Sequence, residues 1–294
     1  MADRAPRPDT IAQTLCAATS ELAAQGVDAP RLSAELLAAK ALGLTRLGLV
    51  MQAKDFFTGE ALAQFRSLVA RRAKGEPVAY LLGEKEFYGL NFRVSPDVLI
   101  PRPETELLVD EALRLFPSDK PLRFADFGTG SGALAVALAH VFPHAHGLAV
   151  DLSAQALEVA RHNARAHGVE SRLDFLNADF TRLELAPASL DLIVANPPYV
   201  TEAEYAGLSP EVRGFEPGLA LVSPDAGLAH IRGLAPVAAQ ALVPGGVLLC
   251  EFGSSQGRVV LEIFRDPALC FTQPEILRDY AGLDRVLRAH RLEA

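Results

Sequence analysis

Leu122-Arg123-Phe124-Ala125-Asp126-Phe127-Gly128-Thr129-Gly130-Ser131-Gly132 is a short, mostly apolar run that ends in an acid and then in glycines at alternate positions. Glycine reaches positive φ without a Cβ penalty. The run therefore reads as a strand that turns tightly into a helix and lets a ligand approach the main chain. An ordinary tight strand-to-helix turn would look the same. The GxGxG spacing leans away from the GxGxxG that cradles a pyrophosphate. Downstream, strands are expected at 122–127, 146–151, 173–177, 190–195, 246–252, 271–277 and 283–289, with helices at 132–142 and 153–167. Short apolar strands alternating with helices predict an α/β fold with a parallel sheet covered on both faces. Tyr280-Ala281-Gly282 joins the last two strands, which predicts a hairpin at the sheet edge.

Three successive strand ends carry polar chemistry. The glycine turn, Gly128 to Gly132, closes the first. Asp151 closes the second, about 20 residues on, where an acid is placed to accept both hydroxyls of a ribose. A helix N-cap is the other use for such an acid, but Ser153 already supplies one. Asp179-Phe180 follows the third strand. There a carboxylate can accept from an adenine amino group and a ring can lie against its face, although a solvated acid beside a core aromatic would read alike. Open α/β sheets bind ligands at these strand ends, so the three together predict an adenosine-containing cofactor without a diphosphate.

Asn196-Pro197-Pro198-Tyr199, at the end of the fourth strand, is the most specific signal. Two prolines force an extended path and donate to no sheet. They expose the Asn196 side-chain oxygen and the Pro197 carbonyl, which suit the two N–H protons of a planar NH₂ group, and Tyr199 can stack on that plane. An amide nitrogen is a poor nucleophile because its lone pair is delocalised. Acceptors on its protons stabilise the positive charge that develops as it attacks a methyl group, and they aim it.

The N-terminal part reads as helices: one capped by Asp9 or Thr10 and running to Gly26, one opened by Pro30 with Leu32, Leu36 and Leu37 on one face, and one from Thr58 ending in Arg71, Arg72 and Lys74. Caps, spacing and terminal cations agree. Glu86 to Val94 reads as a hairpin around Gly89, Pro101-Arg102-Pro103 as a stiff joint, and 201–227 as a long loop. Net charge is −8 over 294 residues, half of them hydrophobic, which excludes disorder and suits a bare phosphate backbone poorly. Cys16, Cys250 and Cys270 form no CxxC pair and read as reduced thiols. His140, His144, His146, His162 and His167 read as solvated, with no metal expected, and Ser131 lacks a His and Asp pair for hydrolysis. The first residues lack a signal peptide's apolar core and no run is long enough to span a membrane, so a cytoplasmic protein is expected.

With Phe87-Tyr88-Gly89, Leu99 to Glu106 (LIPRPETE), the glycine turn, Asn196 to Tyr199 and Phe215-Glu216-Pro217, nearly the whole chain resembles the release-factor glutamine methyltransferase family, also called PrmC or HemK. The resemblance implies a Rossmann-like seven-stranded methyltransferase sheet, mostly parallel with an antiparallel edge hairpin, plus a small N-terminal helical domain. The pattern along the chain divides it into a helical domain at 1–75, expected to dock a protein substrate because it carries none of the chemical motifs, a β-hairpin linker at 76–102, and an S-adenosylmethionine-dependent methyltransferase domain at 103–294. Gly128, Thr129, Gly130, Ser131, Gly132, Asp151, Asp179, Phe180 and Asn196 would hold S-adenosyl-L-methionine. Asn196, Pro197, Pro198 and Tyr199, with Phe87 and Arg102, would hold the substrate, the glutamine of the GGQ loop of class I peptide chain release factors. Asn196, Pro197 and Tyr199 would be catalytic. The partner is expected to be a protein, with no nucleic acid or membrane, and the enzyme to act as a monomer. A nucleic-acid exocyclic-amine methyltransferase shares the NPPY signature, and a non-catalytic binding protein could share the fold.

Overall fold

The computed structural model describes residues 8–293; the first seven residues of the expected 1–75 domain, and Ala294, lie outside them. The chain divides into two compact units. One ends at Glu84 and takes in Ser209–Phe215; the other comprises Lys85–Leu208 and Glu216–Ala294.

The first unit is helical. Ile11–Ala24 opens with a capping box in which the Thr10 hydroxyl accepts from the Gln13 amide and the Gln13 side chain accepts from the Thr10 amide. Pro30–Leu42 begins on proline and ends on left-handed Gly43. Its inward residues are Ser33, Ala34, Leu37 and Ala38. Leu32, expected on that face, is 41% exposed. A helix at Arg46–Met51, capped by Thr45, was not expected, because its six residues complete fewer than two turns of periodicity. Gly59–Ala73 follows, and the segment expected to be a hairpin linker begins instead with a helix, Val78–Leu82. Ile11, Leu15, Leu22, Leu37, Phe57, Phe65 and Val69 fill the core. The helix Pro210–Phe215 belongs here too: Glu211 pairs at 2.7 Å with Arg72, whose side chain is only 5% exposed.

In the second unit, β1 (Glu84–Phe87) and β2 (Leu90–Arg93) form a hairpin. Tyr88 and Gly89 both have positive φ, at 51° and 74°, the pattern that matches a two-residue turn to strand twist. The helix Glu106–Leu115 holds this turn, with Glu106 accepting from the Tyr88 amide and Asp110 from its hydroxyl.

The seven strands are β3 (Leu122–Phe127), β4 (Ala145–Asp151), β5 (Leu173–Asn177), β6 (Leu190–Ala195), β7 (Leu242–Glu251), β8 (Phe271–Arg278) and β9 (Asp284–Arg291). Their order across the sheet is β5-β4-β3-β6-β7-β9-β8. The first five run parallel, and β9 pairs antiparallel with both β7 and β8. The sheet is therefore mostly parallel with an antiparallel hairpin at one edge, as the sequence predicts.

Alternation along each strand builds two cores. Phe124, Leu192 and Val194 face the layer holding Ala133–Val141, Leu108 and Val109, while Ala125, Phe127, Ile193 and Ala195 face the layer of Ala229–Ala241 and Gly257–Phe264. The chain builds outward from β3 to β4 and β5, then returns to place β6 on the other side of β3. That reversal opens a crevice beyond the carboxyl ends of β3 and β6, where Phe127 and Ala195 stand in register. The stretch 201–227, expected to be a loop, contains the short helices Glu202–Gly207 and Pro210–Phe215, a 3₁₀ turn at Gly218–Ala220 and a turn at Pro224–Gly227 in which Asp225 and Ala226 are left-handed, each too brief to show a period.

Candidate active site

A cleft of about 140 Å³ opens in that crevice. Gly128, Gly130, Asp151, Asp179, Phe180, Asn196 and Pro198 line it, joined by Asp97 to Leu99, Pro217, Leu219 and His230. Three strand ends and the fourth motif thus meet in one place. Gly128 and Gly132 sit at φ +76° and +80°. A Cβ on Gly132 would lie 3.0 Å from the Ala160 Cβ, so the turn also lets Ala133–Val141 pack closely on Ala154–Ala166. Thr129, Ser131 and Gly132 are buried behind the cleft. Thr129 donates its hydroxyl to Asp126, which also accepts from the Ala135 amide. Complete burial pushes the Asp126 carboxyl up to about 7, and its second oxygen has no partner.

Asp151 braces the turn: one oxygen accepts from the Gly130 amide at 2.8 Å and the other from the Ser153 amide at 2.9 Å. Burial raises its pKa, and these two hydrogen bonds oppose the rise. Asp179 caps the short turn at Phe180–Arg182, accepting from the Thr181 amide and hydroxyl with one oxygen while the other stands 3.7 Å from Arg182. Phe180 stacks on Phe127 with ring centroids 5.8 Å apart, and His230 faces it at 6.1 Å. Carboxylates above a glycine turn beside an aromatic wall suit a ribose and a planar base.

At the fourth motif, Asn196 donates its side-chain NH₂ to the Thr105 hydroxyl at 2.9 Å. Thr105 donates to Glu251 at 2.7 Å, and the Tyr199 phenol donates to the other Glu251 oxygen at 3.1 Å. Thr105 and Glu251 are 5% and 1% exposed. Burial raises the Glu251 pKa, while its hydrogen bonds from Thr105 and Tyr199 and the charge of Arg285 lower it. Burial also raises the Tyr199 phenol. Pro197 is buried between the cleft-lining Asn196 and Pro198. Tyr199 borders a separate cavity with Val200, Glu204, Gly253 and Arg285. Gln256 holds the Tyr199 carbonyl at 3.0 Å.

Two expected substrate contacts lie elsewhere. Phe87 is 1% exposed and packs edge-on against Phe92 in the core, because its position in β1 turns it inward. The Arg102 guanidinium is engaged by buried Glu216 at 2.6 Å, and the other Glu216 oxygen accepts from the Ile100 amide at 3.1 Å. The two motifs Leu99 to Glu106 and Phe215 to Pro217 are thus two sides of one clamp. Thr105, Glu216 and Glu251 were not singled out in the sequence. The only trace of the first two is their membership of those motifs.

The family description PrmC N-terminal domain matches residues 13–83, and Methyltransferase small domain matches residues 105–208. A release factor glutamine methyltransferase from Nitratidesulfovibrio vulgaris is 48% identical over 282 residues, covering 96% of this chain and 95% of that protein. One from Moorella thermoacetica is 43% identical, covering 97% and 99%. This chain belongs to the release factor glutamine methyltransferase family. It is an S-adenosylmethionine-dependent methyltransferase with the class I fold. A solved structure of ribosomal protein L11 methylase from Lactobacillus delbrueckii subsp. bulgaricus, 21% identical, superposes over 69% of this chain and 86% of that one with a TM-score of 0.50, and shares the fold. Among the described residues no helix is long and apolar enough to cross a membrane.

Proposed function

We propose that the protein methylates the side-chain amide nitrogen of the glutamine in the GGQ loop of class I peptide chain release factors. The observation that carries this reading is the Asn196 amide, whose NH₂ is spent on Thr105 and whose oxygen accepts from no described residue. An acceptor fixed beside the cofactor cleft is what a substrate NH₂ needs. S-adenosylmethionine bound in the cleft supplies an electrophilic methyl on a sulfonium. Asp151 would take the ribose hydroxyls, Asp179 and Phe180 the adenine, and the glycine turn would face the rest. Asn196 Oδ1 and the Pro197 carbonyl accept the two N–H protons of the glutamine, turning its nitrogen toward the methyl. As the nitrogen gains positive charge, both acceptors bind more strongly, so they act on the transition state. No ionised base is required beforehand: as the new N–C bond forms, the S–C bond of the methyl donor would break to leave a neutral thioether, and the nitrogen's proton, acidic only then, would pass to solvent.

The helical unit is assigned the docking of the protein substrate. Leu47, Val50 and Met51, at i, i+3 and i+4 of Arg46–Met51, stand 68%, 72% and 80% exposed on one helix face, an apolar stripe of the kind that marks protein contacts. A single glutamine offers few contacts, and a second surface raises its local concentration.

The test is to incubate the full chain with isotopically labelled methyl donor and intact release factor, then locate the label by mass spectrometry. Label on the GGQ glutamine, lost about 100- to 1,000-fold in Asn196→Ala, is expected. Label on RNA, or an Asn196→Ala variant with normal rate, overturns the proposal.

A further inference from the structure

We infer that Thr105 and Glu251 are positioning residues that set which end of the Asn196 amide faces the substrate. This rests on the reading of Asn196 as an acceptor for the glutamine NH₂. An asparagine amide is nearly symmetric in shape, and only its hydrogen-bond partners distinguish oxygen from nitrogen. Turned one way, Asn196 offers an acceptor to the substrate. Turned the other, it offers a second donor to an NH₂ that can only donate, and the site is dead.

The three-residue chain fixes the direction. Held ionised by its two hydrogen-bond donors and the charge of Arg285, Glu251 only accepts, so Thr105 donates to Glu251 Oε2 over its 2.7 Å contact. A hydroxyl has one proton, so the Thr105 oxygen is left to accept, and Asn196 must present its NH₂ over the 2.9 Å contact. Asn196 Oδ1 then points away from Thr105. Glu251 Oε1 does the same for the Tyr199 phenol at 3.1 Å, which anchors the far end of the motif. One buried charge therefore orients both ends of Asn196 to Tyr199. It stands 146 residues from Thr105 in the chain, and fold alone brings them together. The polarity depends on that charge: a neutral group able to donate at 251 permits the reverse order, in which Thr105 donates to Asn196 Oδ1 and the NH₂ faces the cleft. Protein interiors strengthen such hydrogen bonds and make an unpaired partner costly, which keeps the chain intact.

The experiment uses the full chain with intact release factor. Thr105→Val keeps the shape and removes the hydroxyl, Thr105→Ser restores it, and Glu251→Gln replaces a pure acceptor by a group that can also donate. Thr105→Val is expected to lower kcat by about 10- to 100-fold, as for loss of a preorganised polar contact, with KM changed less. Thr105→Ser recovers most of the rate, Glu251→Gln falls between, and calorimetry gives a dissociation constant for S-adenosylmethionine within about threefold of the parent for all of them. Far-ultraviolet circular dichroism and thermal melts separate unfolding from misorientation. The deciding measurement is the double variant. If Thr105 acts through Asn196, adding Thr105→Val to Asn196→Ala costs no further rate, because the two effects are not independent. A Thr105→Val that works like Thr105→Ser, or a full additional loss in the double variant, overturns the inference while leaving the acceptor role of Asn196 intact. An Asn196→Ala variant of normal rate overturns the acceptor role itself.

Discussion

Asp151 braces the glycine turn and is proposed to take the ligand's ribose as well. Each of its oxygens already accepts a backbone N–H, from Gly130 and from Ser153. Asparagine of the same size would have to aim its NH₂ at one of these donors. Asp151→Asn should therefore weaken S-adenosylmethionine binding by about 1.5–3 kcal/mol, the scale of hydrogen bonds to a charged group. Calorimetry checks it, and an unchanged dissociation constant would show that the ribose lies elsewhere. Asp126 makes a different prediction. Burial raises its folded-state pKa from 3.8 to about 7, so the folded protein holds a proton that the unfolded chain releases. The stability this provides is complete below about pH 3.8 and lost as pH rises through about 7, since stability falls wherever the native state binds more protons. Melting midpoints should decline across that window. Asp126→Asn should flatten the decline by a few degrees, given about 2–4 °C per kcal/mol in a chain of this size.

Between elements, one close approach that bears on the site is Gly132, where Ala133–Val141 meets Ala154–Ala166. Alanine there combines φ of +80° with a Cβ 3.0 Å from that of Ala160. Gly132→Ala should cost on the order of 1–3 kcal/mol in a denaturant titration, and should also misplace the turn that faces the cofactor. Elements of this kind were legible in the sequence, because a strand, a glycine turn and a helix each leave a local period or cap. The seven strands and the meeting of Gly128, Asp151, Phe180 and Asn196 follow from that local text plus the rule for strand ends. What stayed hidden was carried by long-range pairs or by elements too short for a period. Glu251 reaches Thr105 from 146 residues away and Glu216 reaches Arg102 from 114 away, and no window along the chain contains both partners. Thr201 and Glu204 spell a capping box, yet the six-residue helix they open shows no stripe. Phe87, expected at the substrate, faces the core instead, because strand alternation decides its side and no local signal shows which way β1 turns it.

For the whole molecule, the proposed division of labour between helical unit and sheet predicts separable effects. Val50→Glu with Met51→Glu charges this exposed apolar helix face without touching the cleft, since both residues are over 70% exposed. The specificity constant for intact release factor should fall at least about fivefold, the loss of one modest interface contact. That for a short GGQ peptide should hold. Equal losses on both substrates would show that the cluster has no part in docking.

The helix Pro210–Phe215 turns the covalent order of the chain into something other than two beads on a string. The backbone enters the helical unit, leaves it after Glu84, and comes back for Ser209–Phe215 before returning to the sheet. A protease nick between Glu84 and Lys85 therefore severs the peptide but not the unit, because a strut of the larger fragment still lies inside the smaller one's fold, its Glu211 matched to the buried guanidinium of Arg72. The two pieces should travel together through a sizing column until denaturant is added. The same threading makes the helical unit a poor candidate for gain or loss as a cassette: excised up to Glu84, it would leave its own missing helix behind.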